Sequence, residues 1–346
     1  MRGLAGLLIL VAGSVGALAP LMPVQSASAQ DVQAALQKAN TYIEVAKMTE
    51  RAVESWERYG SWVNMKTGPT GKERYISYGM YDLNDLDGLL KEARAAAGTE
   101  PSVAKLDAAM TRYIDAYEAL APVINQASAY YERNGYETDK AAEGQALHKQ
   151  MVPLATAFLA ERDAMMPELR AFVRDVEGQE IASVEKREGR SATWQVGQVM
   201  HAANRVVDLF PRDRPQPIDS DTLDEMIDSL GPNTPGETFD QIIAGVVPPK
   251  NAVIDVKRFG EELDKYAGAV DVLDRFAGEK PEGFEEFKTA SHRMLDLLRE
   301  FQGPLTQSQG REFDGGGQMV GQTVEVYFSM LTASSPISGS QLRFLP

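Results

Sequence analysis

The chain has 346 residues, 35 basic and 50 acidic side chains, a formal net charge of −15 and no cysteine. A charge of that sign repels phosphate backbones and anionic lipid surfaces, so nucleic acid is not expected as a partner. Without thiols, disulfides and thiol chemistry are excluded, and a buried core has to supply the stability.

The first 29 residues read as an export signal. Arg2 gives a short positive start, the stretch from Leu4 to Leu18 is apolar or small, and Pro20 and Pro23 break any helix. Ala27 and Ala29 fit the small-x-small rule of signal peptidase, which places the expected cut between Ala29 and Gln30. No cysteine follows for lipid attachment. The expected product is periplasmic and soluble after cleavage. No later stretch offers the roughly 20 apolar residues of a transmembrane helix.

From Val32 onward the periodicity is helical. Helices are expected over Val32 to Tyr59 and Asp82 to Ala97. Between Ser102 and Tyr131, the residues Val103, Leu106, Met110, Tyr113, Tyr117, Leu120, Ile124 and Ala127 recur at steps of three and four. The next stripe is Leu147, Met151, Leu154, Phe158, Met165, Leu169, Phe172 and Val176, with Arg162 in one slot. Such stripes can be buried only against other helices. Pro122, Pro153 and Pro167 interrupt these patterns and are read as kinks or as breaks between stacked helices. A helix from Ala192 to Phe210 is followed by seven prolines between Pro211 and Pro249, which preclude one long helix there. Within that stretch Thr222 and Glu225 form a capping box that opens a short helix to Leu230. A further stripe runs Val256, Phe259, Leu263, Tyr266, Val270, Leu273 and Ala277. Helices over Phe284 to Phe301 and Gln318 to Leu331 flank a break from Gly303 to Gln318. No alternating run suggests a sheet. The expected fold is an all-α bundle of seven to nine helices. It divides into an N-terminal lobe over 30–180 and a C-terminal lobe over 181–333, which meet near 178–190. The second lobe carries the proline-rich loop 211–249, and 334–346 form a tail.

A group of residues carries a family resemblance. Ala39-Asn40-Thr41-Tyr42-Ile43-Glu44 is followed by Leu106-Asp107 and Tyr113, then by Tyr130-Tyr131, Tyr136, Asp139, Gly144, Leu147 and His148. From about Ala39 to Val176 this resembles the YiiG-like family of bacterial envelope proteins, a helical domain of unknown function. The resemblance implies fold and an envelope location. It implies no catalytic or binding residue.

Motifs for chemistry are sparse. His148, His201 and His292 never recur at the i, i+3 or i+4 spacing of a helical metal site, and the neighbouring methionines suit a core. The acids Asp219, Asp221, Asp224, Glu225 and Asp228 lack the glycine and closing glutamate of a calcium loop. No nucleophile elbow, zinc-protease motif or complete phosphate loop is present. No catalytic residue, metal or cofactor is therefore expected. Ten of the twelve tyrosines lie between Tyr42 and Tyr136, together with Trp56 and Trp62. Such rings suit either core packing or a binding groove. Tyr75, Tyr78 and Tyr81, in and beside the irregular stretch Gly60–Gly79, are the candidate binding residues. The expected role is non-enzymatic binding or scaffolding, with an envelope protein or glycan as partner. Two alternatives stand beside it: an enzyme acting on envelope polymers through cleft carboxylates, and a periplasmic metal-binding protein. Intact-mass measurement of the exported protein should show a chain starting at Gln30. Retention of the first 29 residues, or salt-resistant membrane association, would contradict the signal reading.

Overall fold

The computed structural model describes residues 29–210, 254–308 and 317–336. The proline-rich stretch 211–249, with its capping box and acidic cluster, lies outside the described residues, as do residues 1–28 and 337–346. Among the described residues there are helices and no strands: α1 (Ala29–Met48), α2 (Glu50–Gly60), α3 (Asp87–Ala97), α4 (Ala104–Glu132), α5 (Gly135–Asp139), α6 (Ala142–Glu188), α7 (Ala192–Val207), α8 (Val256–Asp274), α9 (Phe284–Gln307) and α10 (Gly317–Ala333). Nine of these exceed one or two turns, and the all-α bundle expected from the stripes is what forms. No helix among the described residues is long and apolar enough to cross a membrane.

Several expected boundaries move, each for a local reason. The single helix read from Val32 to Tyr59 breaks at Thr49. Its hydroxyl contacts the Val45 carbonyl at 2.6 Å and the Tyr113 hydroxyl at 2.5 Å. Back-bonding of a threonine to the i−4 carbonyl bends helices. Immediately beyond, Glu50 pairs with Arg162, the charged residue in the α6 stripe, and so fixes the direction of α2. The prolines do not divide helices. Pro122 lies within α4, and Pro153 and Pro167 lie within α6, which runs unbroken for 47 residues. Each proline removes a backbone bond at about 3 kcal/mol, yet both helices stay continuous where α4 packs along α6. The break expected from Gly303 is also displaced, because α9 continues through Gly303 and Pro304 to Gln307. The α6 stripe is buried as read at Phe158 and Leu169, but Leu154 is only half-buried and Ala155 takes the inner position.

Two apolar clusters form. The first gathers α1 to α4 and α6 between Val32 and Val176; the second gathers α7 to α10 between Ala192 and Leu331. Helix α6 supplies Leu147 through Val176 to the first cluster, then meets α7 along a polar seam. There Glu177 accepts from Asn204 (2.8 Å) and contacts His201 Nδ1 (3.0 Å), while Arg174 pairs with Asp208 (2.6 Å). In the second cluster the nearly buried Glu262 receives two bonds of 2.6 Å from Arg205 and one of 3.1 Å from Lys265. These contacts hold its carboxyl down at about 2.

The first cluster contains a buried ion pair. Lys38 of α1 is 2 % exposed; its ammonium donates to the carbonyls of Thr99 (2.8 Å) and Pro101 (2.7 Å) and to Asp107 (3.2 Å). Asp107, in the first turn of α4, also accepts from Tyr42 Oη (2.7 Å) and the Val103 amide (2.9 Å). One carboxylate thus joins α1, the α3–α4 connection and the start of α4. Asp107→Leu would leave the ammonium buried without a counter-charge and is expected to cost about 3–5 kcal/mol, read by urea unfolding at neutral pH. A loss under about 1 kcal/mol, the scale of an exposed pair, would show that the pair contributes little.

Candidate functional site

Between α2 and α3 lies a connection of 26 residues, 61–86, whose one regular piece is a 3-10 turn, Ile76–Tyr78. Connections of this length inside a compact bundle are uncommon and often functional. Its first half is pinned to α6. Gln145 Nε2 donates to the carbonyls of Thr67 (3.1 Å) and Pro69 (2.6 Å), and Gly68 packs against the His148 ring. The Glu73 carboxylate closes the turn by accepting from Thr70 Oγ1 (2.8 Å) and the Gly71 amide (3.0 Å).

The second half is held differently. Six consecutive carbonyls each accept a side-chain hydrogen bond: Tyr78 from Arg58 (2.7 Å), Gly79 from Trp62 (2.9 Å), Met80 from Ser128 (3.1 Å), Tyr81 from Ser55 (2.7 Å), Asp82 from Arg51 (3.2 Å) and Leu83 from Asn125 (3.2 Å). Asn125 Oδ1 also accepts from the Leu83 amide (2.6 Å). Gly79 has a φ of +58°, which a side chain would strain, and its amide bonds back to Ile76. Met80, Leu83 and Leu86 are buried, so every third residue turns inward and Tyr78 and Tyr81 face outward.

This backbone arrangement brings arginines and tyrosines into one interleaved row. The Tyr81 ring lies 4.3 Å from the Arg51 guanidinium and 4.5 Å from that of Arg58, whose Nη1 donates to Tyr81 Oη at 2.8 Å. Arg58 also faces the Tyr78 ring at 5.5 Å; Tyr78 stacks on Tyr75 at 5.3 Å, and Arg74 lies 5.4 Å over Tyr75. All three candidate tyrosines are therefore together, half-buried rather than freely exposed. The arginines were not singled out in the sequence. Arg51 and Arg58 stand seven residues apart on α2, a spacing that places them on one helix face.

Beneath the row is a buried aromatic layer. Trp56–Tyr59, Tyr59–Trp62, Trp62–Tyr131 and Tyr130–Tyr131 follow one another with ring centroids 5.0–5.7 Å apart. Tyr42, Tyr59, Tyr113, Tyr117, Tyr130, Tyr131 and Tyr136 are all buried, so most of the tyrosine concentration is packing. Burial raises the Tyr59, Tyr117 and Tyr131 hydroxyls, Tyr117 to about 12, and keeps them neutral. Tyr59 Oη lies 2.9 Å from His148 Nδ1, and Tyr131 Oη beside them makes no hydrogen bond of normal geometry.

The residues of the family resemblance build the corner that supports this layer. Tyr130 Oη donates to Asp139 (2.8 Å), whose other oxygen accepts from the Glu143 amide (2.8 Å) in the first turn of α6. Tyr136 donates to Asn134 (2.8 Å). At Gly144 a Cβ would stand 3.0 Å from the Tyr130 ring and 3.1 Å from Tyr131 Oη, so no side chain fits without displacing the layer. The histidines are dispersed: His148 faces Tyr59, His201 faces Glu177, and His292 lies 2.9 Å from Asp274. Among the described residues no three histidine or acidic side chains converge as a metal site would require.

The family described as "Protein of unknown function (DUF3829)" matches residues 33–231. The chain is 29 % identical over 182 residues to the Uncharacterized protein YiiG of Escherichia coli (strain K12). That alignment covers 51 % of this chain and 52 % of the relative, so the match spans about half of each. No solved structure matches.

Burial holds the His148 imidazole below the usual histidine range. The unfolded chain therefore takes up this proton more readily than the folded one. The stabilising contribution is present above about pH 6.5, the unfolded value, and is lost as the pH falls from there toward the folded value. Urea unfolding from neutral to mildly acidic pH should show the decline, and His148→Gln should flatten it. Parallel pH profiles for both proteins would contradict the assignment.

Proposed function

Taking as premise that the chain belongs to the DUF3829 family of proteins of unknown function, we propose that it is a non-enzymatic binding or scaffolding protein of the bacterial cell envelope. In this reading it is exported and acts in the periplasm, and the arginine–tyrosine row is its contact face. One observation carries the reading: a 26-residue connection in which six successive carbonyls are fixed by side chains of α2, α4 and the loop itself. That arrangement immobilises a loop surface before any ligand arrives, and immobilised groups lose less entropy on binding. The interleaved rings and guanidiniums offer flat faces and directed N–H groups, which suit recognition more than proton transfer. The export signal, expected from the first 29 residues, supports the compartment. The uncharged, buried Tyr59–His148 pair supports a packing role for the histidine that an enzyme reading would have used.

The test replaces Tyr75, Tyr78 and Tyr81 by alanine together, with circular dichroism confirming the helices. Wild type and variant are immobilised and exposed to a solubilised envelope fraction. The wild-type protein should retain components that the variant loses, by an order of magnitude if each ring contributes about 1 kcal/mol. A folded variant that retains every component of the wild type would sink the assignment of this face.

A further inference from the structure

We propose that His148, Tyr59 and Tyr131 form a proton-operated latch on the arm of chain at residues 64–69. When the imidazole takes up a proton, Tyr59 turns its hydroxyl hydrogen from His148 to Tyr131, and the arm loosens from α6.

Packing alone leaves one buried group unaccounted for. Tyr131 is 2 % exposed, yet its hydroxyl makes no hydrogen bond of normal geometry. Buried polar atoms are nearly always paired, so an orphan requires a reason. Its hydroxyl interacts with that of Tyr59, which in turn lies 2.9 Å from His148 Nδ1. The imidazole also faces the Met65 carbonyl. A ring N–H spent on that carbonyl leaves Nδ1 as the acceptor of the Tyr59 hydrogen. An imidazolium has no acceptor nitrogen. Nδ1–H must then donate to the Tyr59 oxygen, and the Tyr59 hydrogen needs a new acceptor. Tyr131 Oη is that acceptor, and it is used only in the protonated state.

The relay restores the hydrogen bonds but not the charge balance. From α2 the ring meets Tyr59, from α4 Tyr131 with Tyr130 beside it, and from the connection Met65 and Gly68. Two carboxylates bear on the hydroxyls, Glu73 and Asp139. Both are already engaged, Glu73 by Thr70 and Gly71, Asp139 by Tyr130 and the Glu143 amide. On α6 itself the neighbours are Gln145 and the exposed Lys149. A buried cation without a counter-charge is unfavourable until water reaches it.

The arm is where water can enter. The other elements around the ring are helices, whereas the arm is irregular and its tip is exposed at Lys66, Thr67 and Thr70. Gly68 lies directly on the imidazole, where a Cβ would stand 2.9 Å from His148 Cδ2. Apart from the imidazole, α6 holds the arm by two bonds from Gln145, to the Thr67 and Pro69 carbonyls. Residues 78–83 keep their own bonds to α2 and α4, so the opening is confined to the arm. Burial holds the imidazole below the usual histidine range. The latch is therefore shut at neutral pH and opens as the pH falls below about 6.5.

The experiment follows the full chain by NMR of isotope-labelled histidine and by amide hydrogen exchange. The His148 resonance should titrate below about pH 6.5. Exchange at residues 64–68, corrected for its intrinsic pH dependence, should rise about tenfold between about pH 7.5 and about pH 5, with 78–83 unchanged. Tyr131→Phe removes a hydroxyl that the neutral state does not use, so its exchange at about pH 7.5 should match wild type. Its His148 proton affinity should fall about fivefold, the scale of one hydrogen bond lost from the charged state alone. His148→Gln should make the arm insensitive to pH. An unchanged midpoint in Tyr131→Phe overturns the relay. Arm protection that stays constant while His148 titrates, or acid loosening that persists in His148→Gln, overturns the latch. Should His148→Gln fail to fold, the wild-type and Tyr131→Phe measurements decide alone.

Discussion

A chain segment without helix or sheet still has to satisfy its backbone; the carbonyls of residues 78–83 do so through side chains, and the Tyr78 and Gly79 amides bond back to Tyr75 and Ile76. Ser55, Arg58 and Arg51 from α2, Trp62 from the loop, and Ser128 and Asn125 from α4 each supply a donor to a successive carbonyl. An unpaired buried carbonyl costs on the order of 1–3 kcal/mol, so the buried donors Trp62 and Ser128 in particular fix the path of the segment. Everything on the candidate face follows from it. With the carbonyls turned toward α2 and α4, Met80, Leu83 and Leu86 go inward, and Tyr78 and Tyr81 are left against the arginines that hold their own backbone.

The segment needs a rigid bed, and the corner from α4 through α5 to α6 provides one. The Tyr130–Asp139–Glu143 relay turns the chain, Gly144 lets α6 approach Tyr130 and Tyr131, and Tyr59 and His148 tie α2 to α6. Asp107 plays the same part at the other end of α4, where it neutralises Lys38 and receives Tyr42. Among the residues of the family resemblance, Tyr42, Asp107 and His148 join helices through partners distant in the chain, whereas Tyr130, Tyr136 and Asp139 hold the local turn between α4 and α6.

The second apolar cluster differs in character. Its contact with α6 joins a polar set, Glu177, His201, Asn204, Arg174 and Asp208, to the packing of Ile181 on Gly197, and its most buried charge, Glu262, is neutralised by Arg205 and Lys265. No row of interleaved rings and guanidiniums occurs there among the described residues, where two cation–ring contacts, Arg190 over Trp194 and Lys280 over Phe284, share no residue. The arginine–tyrosine row thus lies on the first cluster, and the family match over residues 33–231 covers that cluster and α7.

The sequence by itself determined the helices, because a stripe at steps of three and four is a local property of the chain that one buried face explains. It also determined that Phe158, Leu169, Leu263, Val270 and Leu273 are inside. It marked Tyr75, Tyr78 and Tyr81 as a group, on the ground that rings in an irregular stretch stand apart from a stripe. It could not show that Arg51 and Arg58 complete that group, that Thr49 divides the first helix, or that three prolines leave α4 and α6 unbroken. Nor could it show that Asp107 anchors Lys38 across 69 residues. Those outcomes rest on hydrogen bonds and packing between residues far apart in the chain, and no local pattern encodes a partner's identity. Periodicity reports which face is buried; only the tertiary structure decides what each face is buried against.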